Sequence, residues 1–106
     1  MSTRPVAPVT PDALRLREAL ARSAPLAALA QRLRESDDRF ATIRPHLPPA
    51  LAAHVGPGPL DADGWSLLAA NPAVAAKLRQ LQPRLEAALA AGGWPAVQLR
   101  IKVRPA

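Results

Sequence analysis

The chain has 106 residues, with 14 lysines and arginines against 8 acids, a net charge of +6, and no cysteine. That length holds one small domain with little surplus core. The lack of cysteine excludes a disulfide framework, a thiolate zinc site and a cysteine nucleophile. No stretch is long and apolar enough for a membrane span. The opening Met1–Pro11 lacks the apolar core of a secretory signal, so a cytoplasmic protein is expected.

Residues 1–9 hold Pro5 and Pro8 without any periodic pattern and read as a disordered arm, ahead of a single domain over 10–106. Thr10-Pro11-Asp12 is a helix start: a hydroxyl cap, proline at the first helical position, then an acid near the positive end. The helical pattern runs to about Arg22. Ser23-Ala24-Pro25 repeats the start signal, and Leu26, Leu29, Ala30 and Leu33 then share one face. Ser36-Asp37-Asp38 either caps a third helix or lies on the wet face of a continuing one. Phe40, Ile43 and Leu47 form the next apolar stripe, which Pro45, Pro48 and Pro49 end. The helices of 12–47 serve as core or as partner surface, with Arg15, Arg17, Arg22, Arg32 and Arg34 interspersed with Glu18 and Glu35 as a solvated face.

Between Leu51 and Asp63 the period breaks down. His54–Leu60 fits a short edge strand and a turn, and Asp61-Ala62-Asp63-Gly64 is a second turn signal. Trp65–Ala70 fits a strand buried on both faces, or half of a hairpin. Asn71-Pro72 starts a helix with an amide cap. Val74, Leu78, Leu81, Leu85 and Leu89 recur along it every three or four residues, and Gly92-Gly93 stops it. Each of these leucines contributes roughly 1.5–3 kcal/mol if buried. Pro83 falls inside this pattern, where its missing N–H should kink the helix or split it. Val97, Leu99, Ile101 and Val103 alternate with Gln98, Arg100, Lys102 and Arg104, which describes a strand with one apolar and one basic face. Helices, two short strands, a helix and a strand predict an α+β fold: a sheet of about three strands against a long leucine-rich helix.

Charge is unevenly placed. Residues 1–71 hold eight arginines against seven acids, whereas Lys77, Arg79, Arg84, Arg100, Lys102 and Arg104 face Glu86 alone after Asn71. A concentrated positive field favours anionic partners, either nucleic acid or an acidic protein face.

The segment from Leu60 to Val103 also carries a family likeness. Trp65-Ser66-Leu67-Leu68-Ala69 leads into Asn71-Pro72, then Ala75-Ala76-Lys77-Leu78-Arg79-Gln80-Leu81-Gln82-Pro83-Arg84-Leu85. Gly92-Gly93-Trp94 and the strand Val97–Val103 follow. This pattern resembles the DciA-like family, and Leu47-Pro48-Pro49-Ala50-Leu51 fits it more loosely. The resemblance implies a KH-like fold and a non-enzymatic role beside the replicative DNA helicase of the DnaB type. It further implies a cytoplasmic place at the nucleoid and a weaker contact with single-stranded DNA. Many relatives continue into a basic, flexible tail, whereas this sequence stops at Pro105-Ala106. KH modules that bind RNA carry a Gly-x-x-Gly loop between two helices; the corresponding break here, Gln80-Leu81-Gln82-Pro83, has no glycine.

The candidate partner-binding residues are therefore Arg100, Lys102 and Arg104 on the strand, Lys77, Arg79 and Arg84 on the helix, and Trp94 in the loop. The opposing explanation for the strand is an exposed edge kept soluble by its charges. Trp65 and Trp94 could stack on bases or cover a small core, with Trp94 the better placed for contact. His46, His54, Asp61 and Asp63 match no metal-ligand spacing. No phosphate loop or nucleophile arrangement stands out, so no catalysis, cofactor or small-molecule substrate is expected. An RNA-binding or ribosome-associated KH-like protein is the alternative, and an adaptor using its leucine-rich helices is a third reading.

Overall fold

A computed structural model describes residues 15–18 and 23–105. The arm expected over 1–9 lies outside the described residues. So does most of the first helix, apart from a helical turn at 15–18. The chain divides into two compact units, Met1–Gln31 and Arg32–Ala106, and the sheet belongs to the second.

Ser23 begins helix α1 (Ala24–Ile43) by accepting the Leu26 N–H on Oγ at 3.3 Å. The helix runs straight through Ser36-Asp37-Asp38, so no new helix starts there. Its apolar stripe changes character along its length. Leu26, Leu29 and Leu33 are 41%, 48% and 59% exposed, whereas Ile43 is fully buried. Pro45 then tightens the chain into a 3-10 turn, Arg44–His46, and Pro49 opens a single helical turn, α2 (Pro49–Ala52).

Strands β1 (Val55–Asp61) and β2 (Gly64–Ala69) form an antiparallel hairpin that closes on the pair Asp61 and Gly64. Asp61 Oδ1 accepts the Asp63 N–H at 2.8 Å and sets the turn. His54–Leu60 was expected to hold a strand and then a turn. Instead β1 continues past Gly58-Pro59, with its register shifting between Pro57 and Leu60.

Helix α3 (Pro72–Ala91) starts where Asn71 Oδ1 accepts the Val74 N–H at 2.9 Å. Pro83 does not split it. That residue lies on the exposed side, where water can satisfy the carbonyl one turn earlier. The helix ends in a Schellman motif: Gly93 has φ +84, its N–H reaches Ala90 O at 3.0 Å, and the Trp94 N–H reaches Leu89 O at 3.0 Å.

Strand β3 (Leu99–Val103) then pairs parallel to β2, so β2-α3-β3 is a crossover unit and the strand order is β1-β2-β3. Val97 and Gln98 precede the strand rather than belonging to it, because the ladder begins only where the Trp65 N–H meets Gln98 O at 2.8 Å. Gly64 makes that approach possible. Its φ is +138, and a β-carbon there would collide with the Gln98 backbone.

The fold is thus α+β, a three-strand mixed sheet against a long helix. Trp65, Leu67 and Ala69 of β2 point into the core with Leu78 and Leu85 of α3, Ile43 of α1 and Leu99 of β3. As the central strand, β2 is buried at every position but Leu68, so it is both half of a hairpin and a strand covered on two sides. No helix among the described residues is long and apolar enough to cross a membrane.

Candidate functional site: the basic face of the sheet

Strand parity dictates what lies opposite the core. Trp65, Leu67 and Ala69 face α3, so Ser66 and Leu68 face the other way. Their partners across the parallel ladder are Arg100 and Lys102, and Arg104 follows by the same parity. The outer face of β3 is therefore a row of three cations.

Each cation is held differently. Arg100 is 32% exposed and pairs with Asp63 Oδ2 of the hairpin turn at 3.7 Å. Lys102 is exposed, beside the half-buried Leu68. The Arg104 N–H bonds Ala69 O at 2.8 Å, and its guanidinium lies over Gly56 of β1, in the space a β-carbon would fill. A glycine at this point of the edge strand lets one arginine reach back across the sheet. Gly56, Leu68 and Asp63 thus join the site; none was expected there from sequence, where Asp63 was read as a turn residue. The near-continuous apolar run of β2 does not tell its two faces apart in sequence, and the contacts of Gly56 and Asp63 depend on strand order and register.

The helix cations do not gather with the strand. At about 100° per residue, Lys77 and Arg84 fall together on one flank of α3, and Arg79 falls with Gln82 and Glu86 on the other. Gln82 Nε2 donates to Leu99 O at 3.1 Å, so the flank bearing Arg79 is the one turned to β3. Lys77 instead lines an apolar groove of about 390 Å³ with Pro48, Leu51, His54 and Leu81.

Trp65 is fully buried and presents no face for stacking. Trp94 is half-buried and packs against the core. Its Nε1 donates to Thr42 Oγ1 at 3.0 Å, and the Arg39 guanidinium covers its ring at 5.0 Å from the centroid. Trp94 accordingly sits on the core side of the sheet, away from the basic row. Among the described residues no three histidines or acids gather as metal ligands.

No family model, curated protein or solved structure matches this chain. Function must be argued from its own residues.

Proposed function

We propose that this chain is a non-enzymatic accessory module of DNA replication. It binds the replicative, DnaB-type helicase through the basic outer face of the sheet and makes a weaker contact with single-stranded DNA. The observation that supports this most is the row of Arg100, Lys102 and Arg104 on one side of β3. Three cations are spaced along one strand, and among the described residues Asp63 at the turn is the acid that pairs with them. An array of this kind selects an anionic partner and speeds its encounter.

The helicase in particular is suggested by the resemblance of Trp65–Val103 to DciA-like proteins, and the element order is compatible with a KH-like domain. The alternative, an RNA-binding or ribosome-associated KH-like protein, draws no support from Gln80–Pro83. There α3 is continuous, and a KH grip needs a loop.

The test is biolayer interferometry against the purified replicative helicase of the same source, with and without single-stranded DNA. Saturable binding by the parent chain, abolished in a folded Arg100→Glu/Lys102→Glu/Arg104→Glu variant, is the expected result. Binding that survives the triple reversal, or no binding by folded parent protein, overturns it.

A further inference from the structure

The two edges of the sheet are unlike. On β1 the outer edge is closed by chemistry: Pro57 and Pro59 have no N–H to offer, and the Gly58 carbonyl is taken by Ser36 Oγ at 2.6 Å. β3 is the other edge, and there the backbone is available. The Trp65 N–H bonds Gln98 O and the Arg104 N–H bonds Ala69 O, so even-numbered residues of β3 address β2. Leu99, Ile101 and Val103 therefore turn their N–H and C=O outward. The Leu99 carbonyl is met by Gln82 Nε2 at 3.1 Å. Beyond it, Ile101 and Val103 have no strand partner among the described residues, and Val103 is 41% exposed.

We infer that the outer edge of β3, at Ile101 and Val103, accepts an extended peptide strand of alternating acidic and apolar residues. This inference rests on the proposed function only in using the same cations. A second copy of this chain is the obvious rival occupant, and charge rules against it. Pairing β3 with β3 would set Arg100, Lys102 and Arg104 opposite their own kind, which opposes association. An acidic strand reverses the sign. Its carboxylates lie beside the three cations on the outer face. Its apolar residues lie beside Ile101 and Val103 on the core face. Its backbone supplies the partners for two outward residues, as in strand addition to other sheets. The charges that keep this edge from pairing with itself are thus the ones that select an acidic strand.

The probe is a capped heptapeptide alternating glutamate and valine, titrated into the full chain and followed by backbone amide NMR and hydrogen exchange. Saturable shifts and slowed exchange at Ile101 and Val103 are expected. Affinity should fall at least about tenfold, or about 1.4 kcal/mol, when the peptide's sheet-facing amides are N-methylated. Val103→Pro should cause a similar loss. It deletes one outward N–H but leaves Arg100, Lys102, Arg104 and the β2 ladder in place. Equal binding by the N-methylated peptide, or by a folded Val103→Pro variant, overturns the inference, since charge alone then suffices. So does an oligothymidine that shifts these amides when the peptide does not. If Val103→Pro fails to fold, the methylated peptide on the parent chain still decides. Loss of this edge contact leaves the helicase reading standing, because that reading fails only if the folded parent protein does not bind the helicase or the triple reversal keeps its binding.

Discussion

Trp65 is wholly buried, so its indole N–H needs an acceptor inside the protein. Ser36 Oγ supplies it at 2.9 Å and donates its own proton to the Gly58 carbonyl at 2.6 Å. One hydroxyl thus ties α1 to the central strand and to the edge strand. Ser36→Ala should cost about 1–3 kcal/mol, the usual loss when a buried donor is stranded. Urea denaturation followed by tryptophan emission measures it. Arg39 is a second buried polar residue, 1% exposed. It is held by Glu35 at 2.9 Å and by Pro95 O at 3.3 Å, and its Nη1 has no partner. Glu35→Ala strands a buried cation and should cost about 3 kcal/mol or more. Adding Arg39→Met removes the charge while keeping an apolar side chain of similar length, and should recover most of that loss. Thermal melts of the single and double variants read this directly. Neither role was legible in the sequence. Ser36 stands in a polar run with two aspartates, and Arg39 resembles any other arginine on a solvated helix.

At the scale of elements, the leucines of α1 and α3 obey the same spacing but do different work. Leu85 of α3 is fully buried, whereas Leu29 and Leu33 of α1 are 48% and 59% exposed. Leu85→Ala should lose about 2–5 kcal/mol through lost burial and the cavity left behind. Leu29→Ser and Leu33→Ser should each change stability by no more than about 0.5 kcal/mol. Chemical denaturation of the three variants separates the two classes. Periodicity identifies which residues share a helix face, but it carries no information about what that face meets. Alternation behaved in the same way in β3. It placed Arg100, Lys102 and Arg104 on one side, yet Val103 on the apolar side is 41% exposed because β3 is an edge strand.

For the whole molecule, the relevant quantity is how the late positive charge is distributed. Six cations follow Asn71 in sequence, but the fold brings three onto the sheet face, sets Arg79 on the adjoining flank, and turns Lys77 and Arg84 to the far flank of α3. If single-stranded DNA lies on the sheet face alone, about three phosphates are neutralised. The log–log dependence of its affinity on salt should then have a slope of about −2, at roughly −0.7 per phosphate. Fluorescence anisotropy with oligothymidine measures this slope. A value near −4 would mean that all six cations take part, those on both flanks of α3 included. The sequence by itself determined the order of the last two strands and the long helix between them, the caps at Ser23 and Asn71, and the sidedness of the last strand. These depend on contacts within a few residues: an amide cap, a proline, a glycine pair, a period of two. Only the tertiary structure decided that Arg104 rests on Gly56, that Asp63 meets Arg100, that Trp65 depends on Ser36, and that one sheet edge is closed while the other is open. Each of those joins residues far apart in the chain. They meet because a parallel crossover through α3 sets β3 beside β2, and no local pattern carries that register.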